Sequence, residues 1–475
     1  MKRAKKLWIM AGILGLALVL TLSVALMDHK AEKIRASGEP ILSVPVDSVT
    51  ALSWDNGGET LSFRKEDGWI YEGDPDFPVS QQILEQMLST FETFSAAFAI
   101  QDVEDYGQYG LQDPVCTIKF TAGDQNYRVA LGSFSKMDQQ RYVDIGDGNA
   151  YLVFNDPMVE FDRDLRHVIQ NDTTTYLQDA NRITFTGAET YSIWKDPEAG
   201  ISHREDDIYY AEKNGQLLPL DPINVQNYLA DLTLMELTDY QTYTADKEDL
   251  SQFGLDKPEL SVEVHYDELL RGEPTGEEKT MVIHVGRNPE QVKAAEDAKD
   301  DNADPVPAYV RVGDSQIIYR IQPGEYDKVM ACSYDDLRHP EIFPASTEDI
   351  LSLEVTLDGS VYQLSAKDPK AEPLQFFYGD SQVDVSPVLS AIHSLRAQDF
   401  TQEPAAGKLE LRLRAELKNS KSVTVELYRI DGQQCLAQVD GTPVARIPRS
   451  QVVDLQEDLN AILLSPSQET QAENP

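Results

Sequence analysis

The chain has 475 residues, with 41 Lys and Arg against 81 Asp and Glu, a formal net charge of −40. Hydrophobic residues make up 41% and charged residues 26%, ordinary globular usage that excludes wholesale disorder. The acidic balance excludes a nucleic-acid binder, which needs clustered cations against phosphate, and three cysteines exclude a disulfide scaffold. At roughly 100–200 residues per domain, the length allows two to four domains.

Lys2, Arg3, Lys5 and Lys6 precede an uncharged apolar run from Leu7 to Met27. About 20 such residues span a hydrocarbon core. The expectation is a cytoplasmic tip (1–6), a transmembrane helix (7–27) and a polar linker (28–40), with the bulk of the chain outside the cytoplasm by the positive-inside rule. A cleaved signal peptide is the alternative, with Ser23-Val24-Ala25 as a small-x-small cleavage site. No Cys follows the run, which disfavours a lipoprotein anchor. The polar tail at 465–475 is expected to be disordered.

The outer part repeats. Tyr109-Gly110-Leu111 with Pro114 leads into a period-2 strand, and so does Phe253-Gly254-Leu255 with Pro258. Before the first copy, Ser80 leads a helix pattern with Ile83, Leu84, Met87, Leu88 and Phe91 on one face. Before the second, Asp221-Pro222 reads as a cap and first-turn proline, with Val225, Tyr228, Leu229 and Leu232 as the stripe. Hairpin patterns follow at 142–154 and 309–321, each around a Gly/Asp turn. Each unit closes on Asp-Leu-Arg-His: Asp164, Arg166 and His167, then Asp336, Arg338 and His339.

A weaker third copy opens at 350–355, has a helix capped by Ser386-Pro387 and carrying Val388, Leu389, Ile392 and Leu395, and continues as strands at 409–417, 423–430 and 434–439. There Ala405-Ala406-Gly407 replaces the aromatic-Gly-Leu motif. The fold expected is α+β, with three tandem units (41–172, 173–345 and degenerate 346–464). Each is mostly antiparallel β with one main helix. The motif glycines read as backbone positions with φ > 0, the leucines as core plugs. Asp-Leu-Arg-His reads as an end-of-unit helix with an ion pair inside the unit, or alternatively a partner contact.

These features resemble the domain-of-unknown-function 4340 family over most of 41–340, with 346–464 departing from it. The matching features are the single anchor, the strand–Trp openings, the Tyr-Gly-Leu-x-x-Pro motif and the Tyr-Val-x-(Ile/Val)-Gly-Asp hairpin. The resemblance implies a bacterial envelope protein, an auxiliary of ABC transporters of the gliding-motility type. It implies no catalytic residues.

The residues themselves offer little chemistry. His265 and His284 fall on two strands expected to be neighbours, where they would meet across a hairpin, but two ligands make a weak metal site. Ser133 and Lys136 spell Ser-x-x-Lys in a loop, without the Lys-Thr-Gly that penicillin-recognising enzymes need. The acidic stretch 296–304 lacks the central Gly and terminal Glu of an EF-hand and reads as a solvated insertion, with weak calcium binding left open. Cys116, Cys332 and Cys435 read as buried free thiols, with one disulfide and one unpaired thiol as the alternative outside the cytoplasm. The expectation is a non-enzymatic binding or assembly protein, with no cofactor and no metal. The alternatives are an envelope glycan- or ligand-binding protein with Trp54, Trp69 and Trp194 lining a pocket, and a cell-wall enzyme.

Overall fold

The computed structural model describes residues 38 and 40–463, apart from 102, 214, 271–272 and 299–303. The apolar run 7–27 and the tail 465–475 lie outside the described residues. So do most of the linker and the middle of the acidic stretch. Among the described residues, no helix is long and apolar enough to cross a membrane.

The strands form three nine-stranded sheets. The first comprises β1 (Pro40–Leu42), β2 (Val49–Asp55), β3 (Leu61–Lys65), β4 (Trp69–Tyr71), β5 (Phe94–Ile100), β6 (Cys116–Ala122), β7 (Gln125–Ser135), β8 (Gln140–Asp144) and β9 (Ala150–Val153). The second comprises β10 (Ala180–Gly187), β11 (Tyr191–Lys195), β12 (Tyr209–Lys213), β13 (Gln216–Pro219), β14 (Tyr240–Thr242), β15 (Leu260–Leu270), β16 (Glu273–Arg287), β17 (Ala308–Val312) and β18 (Ile318–Ile321). The third comprises β19 (Ile350–Leu357), β20 (Ser360–Ala366), β21 (Phe376–Tyr378), β22 (Ser381–Val383), β23 (Asp399–Phe400), β24 (Lys408–Leu417), β25 (Ser422–Arg429), β26 (Gln434–Val439) and β27 (Thr442–Pro448).

One strand order recurs. The first sheet runs β4-β3-β2-β6-β7-β8, the second β12-β11-β10-β15-β16-β17 and the third β21-β20-β19-β24-β25-β26. In each, the opening strand pairs antiparallel with both its hairpin partner and a strand that follows the main helix: β2 with β3 and β6, β10 with β11 and β15, β19 with β20 and β24. The third copy is weak in sequence but has the same topology. Contacts divide the chain into two compact units. Among the described residues, one holds those up to Thr173 with 237–246 and 315–319. The other holds those within 174–236, 247–314 and 320–463.

Local sequence explains the main helices. α1 (Gln81–Ser89) starts where Ile83 N donates to Ser80 Oγ at 3.4 Å, and buries Leu84, Met87 and Leu88. α2 (Pro222–Thr233) starts where Ile223 N donates to Asp221 Oδ1 at 2.9 Å, and buries the whole expected stripe. α3 (Ser386–His393) differs from expectation: Val385 stands at the cap without a side-chain bond, and Asp384 Oδ1 accepts from Ser386 N at 2.9 Å. The last helix, α4 (Arg449–Leu463), was not among the expected elements. Its Val452, Leu455, Leu459 and Ile462 join Val388 and Ile392 of α3 in the third core. Each such side chain contributes roughly 1.5–3 kcal/mol by leaving water.

The first core is aromatic. Trp54 stacks on Phe63 at 5.3 Å and meets Phe161 edge-on at 5.8 Å, while its Nε1 donates to Arg163 O at 3.1 Å. In the third sheet, β24 buries Leu411, Leu413, Ala415 and Leu417 at a strict period of two, as a half-buried strand requires.

Candidate functional site

The aromatic-Gly-Leu motif is a helix-ending device. In the first copy, Leu111 N donates to Tyr106 O at 3.0 Å and Gly110 N to Gly107 O at 3.1 Å. In the second, Leu255 N donates to Leu250 O at 2.7 Å and Gly254 N to Ser251 O at 3.2 Å. Both are Schellman caps, which place a glycine in the left-handed region. Gly110 has φ 68° and Gly254 φ 71°. The preceding aromatics each meet a tyrosine from the hairpin beyond: Tyr109 with Tyr142 at 4.9 Å, Phe253 with Tyr309 at 4.5 Å. Leu111 and Leu255 are buried, while Pro114 and Pro258 stand half-buried two residues before β6 and β15. Two further glycines belong to the device. A Cβ on Gly132 would overlap Tyr109 O, and one on Gly286 would overlap Gly254 O. The motif therefore ends a helical turn and leads the chain into β6 and β15.

The two Asp-Leu-Arg-His copies diverge in environment. In the first, His167 Nδ1 lies 2.7 Å from Asp164 Oδ1 on the surface, and Arg166 donates to Asp239 Oδ1 at 3.3 Å and Tyr240 O at 3.1 Å. In the second, Asp336 closes a capping box with Ser333 at the single turn Tyr334–Leu337. Arg338 reaches Asp335 at 3.4 Å and lies between the rings of Tyr334 (4.9 Å) and Phe400 (4.2 Å). His339 turns inward, its side chain 14% exposed.

Around His339 the fold collects a charged cluster. Asp207, in the β11–β12 connection, is 3% exposed. Its Oδ1 accepts from His339 Nε2 at 2.7 Å and its Oδ2 from Ser202 Oγ at 2.5 Å. A carboxylate can only accept, so Nε2 is the donor of this bond. Nδ1 then faces Asp221 Oδ2 at 3.7 Å and Glu341 Oε2 at 3.9 Å. Asp221 uses its other oxygen to cap α2. Glu341 Oε1 pairs with Arg396 at 2.6 Å, and its Oε2 lies 3.7 Å from Arg204.

The loop carrying Asp207 is held from the third sheet. At the tip of the β24–β25 hairpin, Lys421 Nζ donates to Gly200 O at 2.6 Å and Ser202 O at 2.5 Å, and Asn419 Nδ2 donates to His203 O at 3.2 Å. Burial pushes the His203 pKa below its ordinary value, against the pull of Asp440. A cavity of about 120 Å³ opens here, lined by Ser202, Asp207, Tyr334, Arg338, His339 and Glu341 among others. Ser202, Asp207 and His339 are not a nucleophilic triad. The acid stands in the middle, so the histidine cannot take the serine proton. Asp221, His339 and Glu341 do have ligand atoms within 4.8 Å of one another.

The other candidates separate. β15 and β16 pair as expected, but His265 stands opposite Thr280 and His284 opposite Ser261. His284 Nδ1 lies 2.8 Å from Ser261 Oγ, and burial lowers its pKa. Ser133 lies near the end of β7 and not in a loop, with no helix to bring Lys136 beside it. The start of the acidic stretch belongs to a helix, Pro289–Ala298. The three cysteines are buried and free, and burial pushes the thiols of Cys116 and Cys435 up to about 12 and that of Cys332 up to about 11. Trp54 and Trp69 are in the core, whereas Trp194 is exposed beneath the Arg182 guanidinium at 4.5 Å.

No curated protein and no solved structure matches the chain. The model of DUF4340, a domain of unknown function, matches residues 213–414. That stretch contains the Phe253 copy of the motif and Asp336-Leu337-Arg338-His339, and runs on into the third sheet as far as β24. Over this stretch the chain resembles the DUF4340 family, so the match begins later than the expected 41 and extends into the third copy, which was expected to depart from it.

Proposed function

We propose that this protein is a single-pass, membrane-anchored binding or assembly component on the outer side of a bacterial membrane, auxiliary to an ABC-type transport system. The observation that carries the reading is the recurrence of one sheet topology in three sets of strands. Tandem copies of a packed unit multiply surface for partners. The cations Lys2, Arg3, Lys5 and Lys6 followed by the apolar run 7–27 support an anchor that keeps this surface at the membrane. The acidic charge keeps it soluble and away from anionic headgroups. The transporter as partner rests on the family resemblance.

In the arrangement of Ser202, Asp207 and His339 the imidazole does not reach the hydroxyl, so these three do not support a serine-hydrolase reading. Burial of Trp54 and Trp69 removes two of the three indoles that a glycan-binding surface would use. The test is crosslinking of the full-length protein in its membrane, followed by affinity recovery and mass spectrometry. Recovery of ABC-transporter membrane subunits supports the reading. Recovery only of wall polymer or secreted proteins overturns it.

A further inference from the structure

We propose that Asp221, His339 and Glu341 bind one divalent transition-metal ion of the zinc class, with Asp207 as the positioning residue behind the histidine. The first argument is the histidine's orientation. Its Nε2 is committed to a carboxylate that is itself buried and tied to Ser202, so Nδ1 is the nitrogen turned toward Asp221 and Glu341. Metal-ligating histidines are held in this way, the far nitrogen donating to a carboxylate that fixes the tautomer.

The second argument is distance. Nδ1 lies 3.7 Å from Asp221 Oδ2 and 3.9 Å from Glu341 Oε2, beyond hydrogen-bond reach of both. A ring nitrogen and two carboxylate oxygens facing one another call for positive charge among them, which a shared metal ion or a proton on Nδ1 would supply. Ligands about 2.0–2.2 Å from a tetrahedral ion sit roughly 3.3–3.6 Å apart, so the two distances need to close by only a few tenths of an ångström, and all three ligand atoms lie within 4.8 Å of one another. The imidazole selects a transition ion over calcium or magnesium, which prefer all-oxygen shells.

The third argument is that both carboxylates are held by their second oxygens. Asp221 Oδ1 is fixed by the α2 cap and Glu341 Oε1 by Arg396, leaving one oxygen of each toward Nδ1. Arg204, 3.7 Å from Glu341 Oε2, opposes the ion and limits its affinity. Three protein ligands leave a fourth position for water or a ligand group. The competing arrangement is an imidazolium that balances the carboxylates without any ion.

The experiment uses the full-length protein in detergent, stripped with chelator and dialysed against Zn2+. Excess Mg2+ and Ca2+ occupy the scattered surface carboxylates. Metal per chain is read by elemental mass spectrometry, and Co2+ serves as a spectroscopic stand-in. One retained ion per chain is expected. His339→Gln should lose it, Asp207→Asn should weaken it by roughly 10- to 100-fold, and His167→Gln should retain it. Should His339→Gln fail to fold, Asp221→Asn keeps a capping oxygen for α2 while removing a ligand charge, and it should weaken retention too. No retained ion in the parent protein, or retention unchanged in the folded variants, overturns the proposal.

Discussion

A Cβ on Gly407 would collide with the carbonyl oxygen of Arg429, just as one on Gly254 would collide with that of Arg287. The third copy has lost the aromatic of the motif but keeps its glycine, because β24 and β25 still close on it as β15 and β16 close on Gly254. Gly407 does not share the positive φ of Gly110 and Gly254. What persists across the three copies is the close approach of backbone to backbone.

Gly254→Ala is expected to be costly for two additive reasons, a left-handed φ of 71° and the overlap with Arg287. Strain of this kind costs about 1–3 kcal/mol per feature, so the loss should be about 3 kcal/mol. Gly123→Ala also places a side chain at positive φ (57°), but in open space, and should cost about 1 kcal/mol. Hydrogen-exchange protection of β15–β16 and of β6–β7 measures the two.

The two histidines of the repeated tetrapeptide should behave differently. His339→Ala strips a buried carboxylate, Asp207, of a close donor, and losing such a bond costs about 2–3 kcal/mol. His167→Ala removes an exposed pair, worth about 0.5 kcal/mol or less. Protection of the 196–213 segment should fall only in the His339 variant.

Thiol reactivity follows the thiolate. Burial holds Cys116 and Cys435 near about 12 and Cys332 near about 11, so all three stay protonated at pH 8. A charged aromatic disulfide reagent should label none of the three in the native protein and all three in denaturant. Rapid labelling of the native protein would contradict this burial.

Alkali should destabilise the fold. Burial and a bond to Asp147 push Tyr151 up to about 12, and burial with Glu259 does the same for Tyr326. Tyr243 reaches about 12 chiefly through its bond to Asp74. The ordinary tyrosine value is 10.0. As pH rises past 10 the unfolded chain loses protons that the native chain keeps, so stability is full below about 10 and is lost toward about 12. Unfolding midpoints at pH 8 and pH 11 should show a fall that shrinks in Tyr151→Phe and Tyr326→Phe.

Helices α1 and α2 are legible in the sequence because Ser80 and Asp221 are true caps and the apolar spacing matches one buried face. The hairpins are legible from alternation around Gly and Asp. Helix α4 follows directly on β27 at Pro448–Arg449, so its stripe of Val452, Leu455, Leu459 and Ile462 is masked by a preceding strand with no intervening turn. The cluster around His339 is not legible. Asp207 is 132 residues away and reaches the histidine only through the second sheet's fold. The two copies of Asp-Leu-Arg-His look alike as sequence, and only tertiary packing makes one a surface pair and the other a buried cluster.

The most direct measurement is photo-crosslinking in living cells, with the reactive residue placed at exposed positions of the full-length chain. Met137 of the first sheet's β7–β8 turn and Val361 of β20 in the third are suitable. The account predicts adducts with ABC-transporter membrane subunits from at least one of the two. Adducts confined to wall polymer or secreted proteins would contradict it.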